Sequence, residues 1–250
     1  MAFIPACIPR RTNQKFGVKL MQLMDFLASV PIFKGLSREQ YEELIMVTTI
    51  QGYGRGQTIF AEGEEGKGFF VVMEGSVKIY KLSVEGKEQI LHIFGPGEPF
   101  AEAAVFVGAP FPAHALALQK SRVLFIPRAA FIDLISKEPS LALNMLAALS
   151  LRLKRFAQMI EELSLKEVPG RLAAHLLYLS EQQHYPETVR LEIGKAQLAS
   201  LLGTIPETLS RILARLGSQG FISVKGPEIT ILDKEGLEAL ALGEMRLTNG

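Results

Sequence analysis

Residues 195–215 read KAQLASLLGTIPETLSRILAR, a pattern that predicts a helix, a tight turn and a second helix. Gly203 permits a sharp exit from the first helix, because glycine readily adopts the left-handed backbone conformation that often ends a helix. Apolar residues recur at helical spacing in both segments, so one stripe of each helix should face the interior. The stripes are Leu198, Ala199 and Leu202 in the first helix, and Ile205, Leu209, Ile212 and Leu216 in the second.

The opposite face of the second predicted helix carries groups that can read DNA bases. Glu207, Ser210, Arg211 and Ala214 fall on this face at positions i, i+3, i+4 and i+7. Arg211 can donate two hydrogen bonds to guanine, and Glu207 can accept one from the cytosine amino group. Ser210 can bond to several base edges. A helix that lies in the major groove of DNA needs such a face.

An alternative interpretation needs no DNA. Thr204 and Glu207 fit the capping box T-x-x-E, in which Glu207 only closes the start of the helix. Arg211 is then a solvated surface charge, and the segment is an ordinary helix pair.

The residues that follow favour the DNA-reading interpretation. Phe221–Val224 and Ile229–Leu232 are short apolar runs that predict two strands, and Lys225-Gly226-Pro227 between them predicts a turn. A helix pair followed directly by a small hairpin is typical of a winged helix-turn-helix.

Composition excludes several other classes of protein. The chain has 250 residues, enough for two domains, and it contains no run of about 18 apolar residues that would span a membrane. We find no secretory signal, and the single cysteine, Cys7, excludes an internal disulfide and an all-cysteine iron–sulfur or zinc site. We therefore expect a cytoplasmic protein. Because the net charge is only +1, DNA affinity must come from placed contacts and from two half-sites on one dimer.

Short β-rich runs separated by glycines dominate the region from about residue 51 to residue 126. Regular short strands with glycine turns predict a β-sandwich or barrel. The predicted strands are Thr58–Phe60, Phe69–Met73, Val77–Leu82, Gln89–Phe94, Ala113–Leu118 and Arg122–Ile126. Before them, helical spacing predicts a helix over Phe16–Phe33, and Ser37 with Gln40 predicts a capped second helix.

A long helix should follow, because Pro139–Leu165 contains no glycine and no internal proline. Its apolar residues cover more than one face, and two copies paired about a twofold axis would bury them. The alternative is a helix packed wholly on its own β domain. Lys166–Gly170 interrupts the pattern and predicts a hinge, with Pro169 at the start of the next helix, Arg171–Leu179.

The order of these segments resembles the CRP/FNR family of bacterial transcription regulators, over roughly residues 20–235. The most specific matches are the runs PETLSR at 206–211 and GSVKIY at 75–80. The resemblance implies an α+β chain with an N-terminal β-roll similar to the cyclic-nucleotide-binding jelly roll, a long dimerisation helix and a C-terminal winged helix-turn-helix. The expected divisions are an extension at 1–20, the β-roll sensor at 21–137, the dimerisation helix at 138–166 and the DNA-binding domain at 167–250.

The same resemblance implies the partners and the DNA contacts. The arrangement E-x-x-S-R looks like the reader of the FNR branch, which implies a palindrome with TTGA-like half-sites in double-stranded promoter DNA. Pro206 stands where the cAMP-receptor branch carries arginine. A homodimer and RNA polymerase are the expected protein partners, and no enzymatic activity is expected. The expected DNA-binding residues are Pro206, Glu207, Thr208, Ser210, Arg211 and the wing residue Lys225.

The expected effector pocket departs from the cyclic-nucleotide pattern of the family. Ala101 and Glu102 match the segment that carries the ribose-binding carboxylate, but Phe111 replaces the phosphate-binding arginine and His114 replaces the threonine. A buried phosphate without its arginine loses a charge-assisted and often bidentate hydrogen bond. The sequence therefore argues against cAMP or cGMP, although Glu102 alone is compatible either with ligand binding or with a structural role.

Within the family, the runs at 77–91, 100–103 and 162–166 look most like the DNR and HcpR groups, which implies sensing of nitric oxide through haem b. An apolar pocket suits a flat hydrophobic ligand, and haem iron needs an axial ligand such as histidine or cysteine. The candidates are His92, His114 and Cys7; a structural role for either histidine is the alternative. Three other interpretations stay open: a cyclic-nucleotide module, a metal-dependent enzyme of the cupin type, and a constitutive DNA binder whose own Phe and Leu side chains fill the pocket.

The expected mechanism is a shift between two states of the dimer. A ligand bound in the β-roll changes how the β-roll packs against the long helix. The hinge near Glu167–Gly170 then reorients the winged domains. Only one orientation spaces the two recognition helices by about one DNA turn, ~34 Å. The ligand must therefore bind the two states with unequal affinity.

Overall fold

The computed structural model describes residues 21–184 and 187–247. The described residues form two compact units: the roll unit, residues 21–79 with 93–150, and the winged unit, residues 80–92 with 151–184 and 187–247. Each unit has its own hydrophobic core. The predicted extension 1–20, and Cys7 with it, lies outside the described residues.

Two four-stranded sheets form the β-roll, in the orders β1-β8-β3-β6 and β2-β7-β4-β5. β3 is an interior strand of the first sheet and pairs antiparallel with both β6 and β8. The predicted sandwich is therefore confirmed, although β1 and β6 were not predicted. The strands are β1 Thr49–Tyr53, β2 Thr58–Phe60, β3 Gly68–Glu74, β4 Val77–Leu82, β5 Glu88–Phe94, β6 Pro99–Phe100, β7 His114–Ala117 and β8 Ser121–Pro127.

Helices cover one part of the roll core. α1 (residues 21–29), a 3₁₀ turn (Pro31–Phe33), α2 (Arg38–Val47) and α4 (Arg128–Lys137) bury apolar side chains against β3 and β8. The predicted helix end at Phe33 is wrong, because Pro31 forces Val30 into an extended conformation and stops α1 first. The predicted capping box of Ser37 and Gln40 is confirmed. A further short helix, α3 (Ala103–Val107), follows β6.

The long helix α5 (Ser140–Leu165) matches its prediction closely. The predicted hinge is shorter than expected, because α6 (Val168–Gln183) already begins before Pro169 and leaves only residues 166 and 167 outside the two helices. The Arg171 side chain connects the two helices: its Nη1 donates to the carbonyl oxygens of Leu163 at 3.3 Å and Lys166 at 3.1 Å. Burial lowers the pKa of the Arg171 guanidinium, an effect that Glu162 opposes.

The winged unit combines helices with a three-stranded sheet of order β10-β11-β9. α6 and the C-terminal α9 pack very closely, since a Cβ atom on Gly170 would lie 2.8 Å from the Leu240 carbonyl oxygen. The third strand, β9, and α9 were not predicted. The elements are β9 Thr188–Arg190, α7 Lys195–Leu201, α8 Pro206–Ser218, β10 Ile222–Lys225, β11 Glu228–Ile231 and α9 Lys234–Leu242.

Candidate DNA-reading face and effector pocket

α7 and α8 form the predicted helix pair. Gly203, at φ +67°, makes the turn after α7. Leu209, Ile212 and Leu216 of α8 are buried in the core of the winged unit, as predicted. The prediction for Ile205 is wrong: it is the residue before α8, in an extended conformation, and it is 49% exposed. Pro206, which follows it, starts the helix.

The outer face of α8 is open to solvent. Pro206, Glu207, Ser210, Arg211 and Ala214 are all exposed. The alternative capping box is not formed, because Ile205 rather than Thr204 occupies the N-cap position of α8 and makes no side-chain cap. The Glu207 carboxylate is therefore not held in that role.

Arg211 is positioned by its own helix. Its Nη2 donates to Oγ1 of the half-buried Thr208 at 3.2 Å. Because the Arg211 side chain is exposed, its remaining guanidinium N–H groups are accessible to a partner. Lys225 is exposed at the end of β10, beside the two-residue loop Gly226-Pro227. The predicted wing is thus present, with strands displaced by one residue from the predicted bounds.

A groove of about 660 Å³ lies beside this face, between the start of α6 and α8. Arg211 and Thr208 line it, and sequence analysis did not identify two further cations there, Arg171 and Arg215. The spacing of Arg215, four residues after Arg211, could have indicated it, whereas no local signal points to Arg171. The other lining residues are Glu167, Val168, Pro169 and Ile212.

The candidate effector pocket is in the roll unit. Glu102 is buried, and Ala101 before it has φ +65°, a left-handed conformation that costs energy in a residue with a Cβ atom. Phe111 is 5% exposed, and its ring stacks on that of Phe60 with centroids 3.8 Å apart. The space expected to receive a ligand phosphate therefore contains a phenyl ring.

The two histidine candidates are in different surroundings. Both ring nitrogens of His114 face Glu62: Nδ1 accepts from the Glu62 backbone N–H at 3.1 Å, and Nε2 lies 3.7 Å from the Glu62 carboxylate. His92 is half-buried on β5, in the segment grouped with the winged unit. Within residues 21–184 and 187–247, no cluster of three His, Cys, Asp or Glu side chains could hold a metal ion. None of the helices in this part of the chain is long and apolar enough to cross a membrane.

Comparison with known proteins agrees with this architecture. The family model for the cyclic nucleotide-binding domain matches residues 50–138, and that for the Crp-like helix-turn-helix domain matches residues 170–240. The solved structure of a CooA mutant from Carboxydothermus hydrogenoformans has the same fold, with a TM-score of 0.72 at 23% identity over 88% of this chain and 95% of that chain. FixK2 from Bradyrhizobium japonicum has a TM-score of 0.68 at 24% identity, over 78% of this chain and 97% of its own.

Curated relatives are similar over most of the chain. A CRP-like cAMP-activated global transcriptional regulator of Mycobacterium tuberculosis is 30% identical over 217 residues, covering 85% of this chain and 97% of the relative. The fumarate and nitrate reduction regulatory protein of Salmonella typhimurium is 35% identical over 191 residues, covering 75% of this chain and 76% of the relative. With a β-roll that matches the cyclic nucleotide-binding domain, a long helix and a C-terminal helix-turn-helix, the chain belongs to the CRP/FNR family of DNA-binding transcription regulators.

Proposed function

We propose that two copies of this chain bind one palindromic promoter site with TTGA-like half-sites and regulate transcription by RNA polymerase in the cytoplasm. The observation that carries the proposal is the division of α8 into a buried apolar stripe and an exposed face. Glu207, Ser210 and Arg211 on that face are the side chains that can discriminate base pairs. Each copy supplies one such helix, and a palindrome presents two equivalent half-sites.

The outer surface of α5 supports pairing with a second copy. Seven exposed positions recur along α5 at alternating steps of three and four residues, the spacing of a coiled-coil seam. Four of the seven residues are large and apolar and three are small, and a small residue lets two helices approach closely at its position. The seam consists of Leu143, Leu146, Ser150, Leu153, Ala157, Ile160 and Ser164.

A DNA-binding titration of the full chain tests this proposal. We expect fluorescence anisotropy to show tight binding to a duplex with two TTGA-like half-sites, and binding weaker by about 10³-fold or more to a scrambled duplex of equal length. Equal affinity for both duplexes would overturn the assignment of the recognition sequence. No binding to either would overturn the function itself.

A cyclic-nucleotide effector is the second candidate, and the cAMP-activated Mycobacterium tuberculosis relative favours it. The buried carboxylate of Glu102 suits a ribose hydroxyl. Phe111, however, offers no hydrogen bond and no positive charge to a phosphate, and charged groups are costly to bury without such partners. Calorimetric titration with cAMP and cGMP decides this point: saturable binding of either would establish it.

Haem with nitric oxide as the signal stays a prediction from the resemblance to the DNR and HcpR groups. The residues described here do not fit haem as folded. Stacked phenylalanines occupy the apolar interior of the roll, and Glu62 engages both nitrogens of His114.

Titration of the anaerobically purified protein with haem tests that prediction. A Soret band that saturates at one haem per chain and shifts on addition of nitric oxide would establish haem binding. Variants of His92, His114 and Cys7 would then identify the axial ligand. Broad absorption without saturation would contradict sensing of nitric oxide through haem and would leave the proposed DNA-binding function unaffected.

A further inference from the structure

Phenylalanine rings from the chain itself fill the interior of the β-roll. Phe60 stacks on Phe111 at a centroid distance of 3.8 Å, with an angle of 20° between the ring planes. Phe60 also lies 5.7 Å from Phe70 and 6.3 Å from Phe100, and Phe70 and Phe100 are 5.1 Å apart. Phe94 extends the cluster, at 5.6 Å from Phe100. All five rings are buried, so they form one continuous aromatic core.

Phe111 differs from the other four rings because it comes from a loop rather than from a strand. The loop is fixed by the segment that follows β2. The Phe111 N–H donates to the Glu64 carbonyl oxygen at 2.9 Å, and the Gly63 N–H donates to the Phe111 carbonyl oxygen at 2.9 Å. Both backbone groups of Phe111 are therefore bonded to residues that lie three and four positions after Phe60.

His114 and Glu62 secure the same pair of segments. The Glu62 N–H donates to His114 Nδ1 at 3.1 Å, so Nε2 carries the ring proton when the imidazole is neutral. That nitrogen faces the Glu62 carboxylate at 3.7 Å. The two positions at which the chain departs from the cyclic-nucleotide pattern thus act together: Phe111 fills the space, and His114 helps to hold the loop that carries it.

We propose that Phe111 is a built-in occupant of the effector site, and that the β-roll stays in its DNA-binding state without any small molecule. This inference rests on the proposed function for its second half, since it concerns the regulation of that DNA binding. Regulation would then act on the amount of the protein rather than on its occupancy by a ligand. An added ligand could enter the site only by displacing the Phe111 ring from Phe60.

The occupancy of the site is tested without DNA. Phe111→Ala should leave an apolar cavity lined by aromatic rings, and such cavities stay dry and bind small aromatic molecules. With toluene as the probe, we expect saturable binding by Phe111→Ala, detected by NMR, and none by the unmodified chain. Phe106→Ala is the matched control, because it removes a ring that is exposed on α3. Phe111→Leu replaces the ring with a smaller aliphatic side chain and removes less volume, so it takes the place of the alanine variant if that variant does not fold.

Toluene binding by the unmodified chain at the same concentration would overturn the inference, because the site would then be open. Absence of binding by a folded Phe111→Ala would overturn it equally, since the ring would not be filling a ligand-sized space.

The regulatory half is tested with the palindromic duplex. We expect ligand-free protein to bind it, with a Kd that changes by less than about twofold on addition of cAMP, cGMP or haem. A gain of about tenfold or more with any of them would overturn effector independence while supporting the DNA-binding function. Failure to bind DNA under every condition would instead overturn the proposed function and with it the regulatory half, and the toluene experiment would still decide whether Phe111 fills the site.

Discussion

Arg211 is the side chain most directly placed to read a base. It is exposed on α8, its Nη2 bonds to Thr208 Oγ1, and its other donors remain available for the two acceptors of guanine. Replacement of Arg211 by Ala should weaken binding to the palindromic duplex by roughly 1–3 kcal/mol and relax the preference at one position of each half-site. Anisotropy titrations on a set of duplexes with single base substitutions measure both effects.

The control for this variant is Arg38→Ala, which removes the same charge from an exposed position on α2 of the roll unit. Its affinity should match that of the unmodified protein. If Arg211→Ala weakens binding to every duplex by the same factor, Arg211 contacts a phosphate instead of a base.

His175, on α6, makes the stability of the winged unit depend on pH. Burial, and secondarily the nearby Arg155 guanidinium, lower the pKa of His175 from 6.5 to about 4. His175 therefore becomes protonated near pH 6.5 in the unfolded chain but only near pH 4 in the folded chain. The contribution of neutral His175 to the free energy of unfolding is complete above pH 6.5. It should be lost as the pH falls towards 4, by as much as about 3 kcal/mol.

Urea unfolding at several pH values measures this loss. Carboxylates titrate in the same range, so the informative quantity is the difference between the unmodified chain and His175→Gln. That difference should vary with pH below 6.5 and be constant above it. His184→Gln is the control, because His184 is exposed at the C-cap of the same helix. A constant difference throughout would contradict the assignment.

At the level of helices, the seam on α5 defines the expected dimer. Leu153 is 70% exposed and lies in the seam, whereas Leu151 is 72% exposed and lies outside it. Leu153→Asp should abolish or strongly weaken dimer formation, because it would bury two like charges against each other. Leu151→Asp should leave the dimer intact. Sedimentation equilibrium over a range of concentrations distinguishes the two, and equal behaviour of both variants would place the interface elsewhere.

Helical periodicity predicted α5 and the buried stripe of α8 because both depend only on residues close in sequence. It failed at Ile205, where Pro206 starts the helix and leaves the preceding side chain in solvent. It did not predict α9, whose first turn contains Gly236, a poor helix former that here accommodates the Asp233 cap and the Phe221 ring.

The effector pocket shows a different limit. The sequence indicated that Phe111 removes the charge needed by a phosphate, but the stacking partner, Phe60, lies 51 residues earlier. The pairing of His114 with Glu62 spans a similar separation. Contacts of this kind depend on how β2 and β7 are placed in one sheet, and no local pattern contains that information.

For the molecule as a whole, separate cores predict two unfolding transitions. Leu216 belongs to the core of the winged unit and Phe131 to that of the roll unit, and both are fully buried. Leu216→Ala should therefore lower the free energy of unfolding of the winged unit by about 2–5 kcal/mol. Phe131→Ala should lower that of the roll unit by about 3–5 kcal/mol. Differential scanning calorimetry measures both. A single transition that both variants shift alike would mean that the units unfold together.

The exposed seam on α5 also has a consequence for gene control in the cell. If the chains are mainly monomeric, a promoter that requires two of them is occupied, well below saturation, in proportion to the square of the chain concentration. Modest changes in synthesis or degradation would then be amplified at the promoter, and the seam would set the threshold. A chain whose sensor site is already filled by its own Phe111 could in this way still respond to conditions, with its abundance as the signal.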